Sequence, residues 1–109
     1  MNIKDRLKEK DENKFLTFFC MDEVEDLNSI IPFTQKEIQF DYNTFWSDNQ
    51  HPGVDKVITA KIKEGTTWLG LWKTIDKMVK KSKDYHHIWI EEISVSKTNP
   101  NVLNVFLGS

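Results

Sequence analysis

The chain has 109 residues, room for one domain with one core, and its four Trp, two Tyr and seven Phe are generous for that size. One cysteine, Cys20, excludes an internal disulfide and any multi-cysteine zinc site. The net charge is −2 with both signs mixed throughout, and Arg6 is the only arginine. No global field therefore favours nucleic acid or anionic lipid, and the forked guanidinium suited to base edges is nearly missing.

In chain order, residues 1–13 are densely charged, with only Ile3 and Leu7 apolar after Met1. They read as a tail or frayed helix ahead of a single globular domain over 14–109. The start lacks the apolar run of a signal peptide, and no later run reaches the ~18 residues of a membrane span. The expectation is a soluble, cytoplasmic protein with no membrane association. Abundant lysine, asparagine and isoleucine suggest AT-rich codons, hence a low-GC bacterium or a phage.

"KFLTFFC" (14–20) is a short apolar run with charge on both sides, expected as a strand buried on both faces. Cys20 at its end is expected to be a buried, inert thiol. "MDEVEDLNSIIP" (21–32) carries Val24, Leu27 and Ile31 at helical spacing, which predicts a short N-terminal helix ending before Pro32. Its carboxylates lack the loop spacing and glycine turn of a calcium site.

From Glu37 the period changes to two. Ile38, Phe40, Tyr42, Thr44 and Trp46 alternate with Glu37, Gln39, Asp41, Asn43 and Phe45, the pattern of a strand with one buried face. "SDNQHPG" (47–53) reads as a loop, and "DKVITAKIKE" (55–64) as a second alternating strand. Together they predict an antiparallel hairpin.

"GTTWLGLWKTIDKMVKKSK" (65–83) is the strongest helix signal, expected over 66–83. Thr66 or Thr67 serves as N-cap, and Trp68, Leu71, Trp72, Ile75, Met78 and Val79 form an apolar stripe. The stripe predicts Trp68, Trp72 and Ile75 buried, with Lys73, Asp76 and Lys80 exposed. Gly70 within it suggests a close approach to the sheet. "HHIWIEEISVS" (86–96) and "NVLNVFLG" (101–108) then predict a second hairpin. The apolar phase shifts between Ile90 and Ile93, which a β-bulge at Glu91–Glu92 reconciles. The fold class expected is α+β: a single, mostly antiparallel sheet of about five strands with one long amphipathic helix on one face. A ferredoxin-like arrangement with an added strand is one way to close it.

The histidine pair in "KDYHHIWIEE" is the first candidate for chemistry. In a strand, adjacent side chains point to opposite faces, so His86 and His87 are not expected to share a metal ion. His87 and Glu91 lie on one face but roughly 13 Å apart at ~3.3 Å per residue, too far for zinc ligands. Neither a metal nor a cofactor is expected. Gly-rich phosphate loops, nucleophile elbows and H-E-x-x-H motifs are absent, so no catalytic residue is assigned. Phe45 sits on the outward face beside a polar loop, which makes Phe45, Asp48, His51 and Pro52 the candidate binding residues.

The leading expectation is a small non-catalytic protein-binding module with a protein partner, of the kind phages use on host machinery or bacteria use as immunity proteins. The first alternative is a small hydrolase-like enzyme using His86 or His87 with carboxylates from other strands. The second is a single-stranded nucleic-acid binder resting on Phe45, Lys61 and Lys63. The acidic balance argues against that one.

Overall fold

The alternating segment from Glu37 does form a strand, but it ends at Asn43, short of the expected end at Trp46. In the computed structural model, which describes residues 15–109, β1 is Phe18–Phe19, β2 is Glu37–Asn43 and a five-residue helix α1 is Thr44–Asp48. They are followed by β3 (Asp55–Lys61), the long helix α2 (Trp68–Ser82), β4 (Trp89–Val95) and β5 (Val102–Gly108). The charged segment 1–13 lies outside the described residues. No helix among the described residues is long and apolar enough to cross a membrane.

The strands form one sheet in the order β1-β4-β5-β2-β3. Two hairpins, β2 with β3 and β4 with β5, are antiparallel as their short connections require. They meet through a parallel pairing of β2 with β5, and β1 adds in parallel to β4. The sheet is therefore mixed, which corrects the expectation of a mostly antiparallel one. Long connections bring each parallel partner alongside, and local periodicity carries no record of that.

One stripe of α2 covers one sheet face. Trp68, Leu71, Ile75, Met78 and Val79 pack against Ile38 and Phe40 of β2, Ile90 and Ile93 of β4, and Leu103 and Val105 of β5. Each fully buried aliphatic side chain stabilises by about 1.5–3 kcal/mol. The Thr67 side chain caps the helix by accepting the Gly70 N–H at 3.1 Å. A Cβ at Gly70 would meet the Thr66 methyl at 3.2 Å, so this glycine is crowded by the capping turn rather than by the sheet. The expected bulge is present: Ile90 pairs with Leu107 and Glu92 with Phe106, leaving Glu91 as the extra residue.

The short N-terminal helix expected over 21–32 does not form. Its backbone works as a cap for α2 instead: the carbonyls of Leu27 and Ser29 accept the N–H groups of Leu69 and Trp68 at 2.9 and 3.0 Å. The first turn of a helix leaves its N–H groups without internal partners, and residues 27–29, folded as a turn, satisfy two of them. The run at 14–20 is also shorter as a strand than expected. Leu16 and Thr17 are buried, Phe18 and Phe19 half-buried, and Cys20 is exposed rather than buried.

Candidate functional site

The hairpin connection between β2 and β3 is folded by its own side chains. Asn43 caps α1, its Oδ1 accepting the Phe45 N–H at 2.9 Å while its Nδ2 donates to Asp55 at 2.8 Å. Thr44, buried at the base, accepts the Val54 N–H on Oγ1 at 2.7 Å and donates its own N–H to the Val54 carbonyl. Asn49 closes the turn in the left-handed conformation at φ 54°, which asparagine tolerates well. A Cβ on Gly53 would come within 2.8 Å of the Phe45 nitrogen, so only glycine lets the returning chain pass this close.

That closed turn presents two aromatics to solvent. Phe45 and Trp46 are 39% and 43% exposed, with ring centroids 4.9 Å apart in an edge-to-face arrangement. The sequence pattern places Phe45 on the outer face of a strand and Trp46 on the inner one. On a helical turn they instead sit side by side, both outward. His51 lies against Phe45 at 5.0 Å, beside the cis peptide bond to Pro52. Asp48 and Pro52 are exposed at the end of the turn and just after it.

The other two histidines come to the same place. His86 and His87 precede β4 rather than lying within it, so strand alternation does not separate them. Both rings approach Trp46, at 4.9 and 5.5 Å. All three histidines of the chain thus contact Phe45 or Trp46.

Asp84 holds this second arm in position. Lys83 ends α2 in the left-handed conformation at φ 62°, and Asp84 then turns inward, 4% exposed. Its Oδ1 accepts the His86 N–H at 3.0 Å and its Oδ2 contacts His87 Nδ1 at 2.8 Å. An ionised carboxylate only accepts, so Nδ1 donates to it, and in the neutral imidazole Nε2 is left as the acceptor. A cleft of about 230 Å³ adjoins the pair, lined by Tyr42, Asn43, Trp46, Asp55, Asp84 and His87 among others. The arrangement can fix an imidazole against an aromatic wall, to hydrogen-bond a ligand or to move a proton.

Of the candidate binding residues, the structure joins Phe45 and His51 in one cluster and leaves Asp48 and Pro52 at its margin. Sequence reading misses Trp46 and Asp84. The signal for Asp84 is an aspartate three residues before a histidine, directly after the lysine-rich end of a helix. The carboxylate beside His87 is therefore local rather than supplied by another strand. Among the described residues no group of three or more His, Cys, Asp and Glu is placed to hold a metal ion. Comparison with protein families, with curated proteins and with solved structures found no match.

Proposed function

We propose that this protein is a non-catalytic binding module that engages a protein partner through the Phe45–Trp46 cluster. The observation that carries this reading is that two adjacent aromatics stand exposed on a turn whose backbone is pinned at both ends. Large aromatic side chains on a rigid support lose little conformational freedom on binding and make strong anchors. The flanking histidines supply the polar contacts that surround such anchors. The partner class fits a phage protein acting on host machinery or a bacterial immunity-type protein.

The test is affinity purification from the native host with the parent chain and with a Phe45→Ala/Trp46→Ala variant of matched stability. A protein retained by the parent and lost by the variant supports the reading. Equal retention by both, or a partner lost only on changing a distant surface, overturns it.

A second reading rests on the Asp84–His87 contact and its cleft: acid–base chemistry with His87 Nε2 as the proton acceptor. It makes a different demand on the same site. An activity against a panel of ester substrates would have to vanish in His87→Ala and survive in Phe45→Ala.

A further inference from the structure

We propose that the free edge of β3, with the groove between that strand and α2, docks an extended acidic segment of a partner protein as a sixth strand. Among the described residues β3 is the last strand of the sheet, paired on one side only, with β2. The phase of that pairing is fixed at both ends. Ile62 N–H donates to the Lys36 carbonyl and Thr44 N–H to the Val54 carbonyl, each at 2.9 Å. Antiparallel ladders alternate between bonded and non-bonded residue pairs. Lys56, Ile58 and Ala60 therefore bond to β2, while Val57, Thr59 and Lys61 turn their N–H and C=O groups outward. These groups form a ready template for another strand.

The side chains beside this edge define what fits. A groove of about 320 Å³ runs between β3 and α2, with Ile58, Ala60 and Met78 as apolar lining and Lys61, Lys77 and Lys81 as charged lining. No acidic residue lines it, and none of the three lysines has an ion-pair partner among the described residues. On the outer sheet face Val57 is 56% exposed. A strand added here would place alternate residues over Lys77 and Lys81 of α2 and the intervening ones beside Val57, Thr59 and Lys61 on the outer face. Acidic residues at the first set and aliphatic ones at the second satisfy both faces. A second copy of this chain meets the opposite electrostatics, because edge-to-edge pairing about a twofold axis brings two sets of these lysines together. The charges that keep copies apart attract an acidic strand.

The test uses two labelled peptides, one alternating glutamate with valine and one alternating lysine with valine, titrated against the full chain by fluorescence anisotropy. The glutamate peptide is expected to saturate and the lysine peptide not to bind, with the signal weakening as salt rises. Thr59→Pro removes an outward N–H without touching the ladder to β2, and is expected to abolish binding. Lys77→Glu/Lys81→Glu, two exposed positions on α2, is expected to weaken it by about tenfold or more. The latter decides the matter if thermal melts show that Thr59→Pro does not fold. Phe45→Ala/Trp46→Ala should leave it unchanged, which separates this surface from the aromatic cluster. Failure of the glutamate peptide to saturate, equal binding of both peptides, or binding unaffected by the lysine changes overturns the proposal. A dimer in sedimentation that Thr59→Pro splits would assign the edge to a second copy and overturn it as well.

Discussion

Asp76 accepts two hydrogen bonds from Thr17, one from the backbone N–H and one from the hydroxyl, both at 3.0 Å to the same oxygen, Oδ1. The Leu16 N–H adds a third at 2.8 Å, and Lys80 meets the other oxygen at 3.2 Å. This aspartate is 4% exposed, although the helical pattern puts it on the solvent side. It ties the N-terminal segment to α2 across 59 residues of sequence. Removing it strands buried donors. Asp76→Ala is expected to lower stability by roughly 2–4 kcal/mol, since each orphaned buried donor costs about 1–3 kcal/mol and the losses overlap. Asp76→Asn keeps one carbonyl oxygen for the backbone donors and should lose less. Denaturant titrations check both, and a change within about 0.5 kcal/mol for Asp76→Ala would refute the tie.

Trp72 belongs to the same junction. It is half-buried rather than fully buried, stacked on Phe15 at 3.9 Å, and its Nε1 donates to Thr17 Oγ1 at 2.9 Å. Full burial of a large aromatic would make truncation to alanine cost about 3–5 kcal/mol. Partial exposure lowers the expectation for Trp72→Ala to about 2–3 kcal/mol. A double-mutant cycle with Thr17→Val should show coupling of about 0.5–1.5 kcal/mol. Strict additivity would mean that the indole hydrogen bond contributes nothing.

Lys83 adopts φ 62° at the end of α2, a conformation that L side chains disfavour and glycine does not. Its own N–H continues the helix by donating to the Val79 carbonyl at 3.0 Å. Lys83→Gly should therefore raise stability by about 0.5–1 kcal/mol, visible as a higher melting temperature. A fall would show that the lysine side chain has a role that outweighs its backbone strain.

His87 and Asp84 should respond unequally to truncation. His87 is half-exposed, so His87→Ala should shift stability by no more than about 1 kcal/mol. Asp84→Ala leaves the part-buried His86 N–H without its acceptor and removes the partner of His87, and should cost about 1–2 kcal/mol. Excess zinc should leave the melting temperature of the parent unchanged, because a metal bound only by the folded state would raise it. A zinc-dependent rise of several degrees that disappears in a His86→Ala/His87→Ala variant would reverse this prediction.

Gly53 offers a test of the aromatic cluster that leaves every ring in place. A Cβ there would sit 1.9 Å from Asn43 Oδ1 and 2.8 Å from the Phe45 nitrogen, against the cap that holds α1. Gly53→Ala should disturb the backbone amide resonances of 43–55 while leaving those of α2 unchanged. Partner retention should fall with it, if the pinned geometry of Phe45 and Trp46 is what the partner reads.

The long helix, a threonine cap at 66 or 67, both hairpins and a bulge at Glu91–Glu92 were legible in the residues alone. Each depends on a period of 3.6 or 2, or on a slip in that period, and these are properties of neighbouring residues. Tertiary structure decided the rest. The mixed sheet depends on β1 meeting β4 and β2 meeting β5 across long connections, which no local pattern encodes. Residues 21–32 carry a helical spacing, yet the open N–H groups of α2 take up the carbonyls of Leu27 and Ser29, and the segment forms turns instead of a helix. Asp76 looks like a solvated position until the N-terminal segment closes over it and offers three donors. The aromatic–histidine cluster has the same origin. Asn43 and Thr44 fold the hairpin connection into a turn that faces Trp46 outward, and Asp84 turns the chain after α2 so that His86 and His87 meet that ring. Side-chain hydrogen bonds shape two chain reversals locally, and the sheet brings those two reversals together into one site.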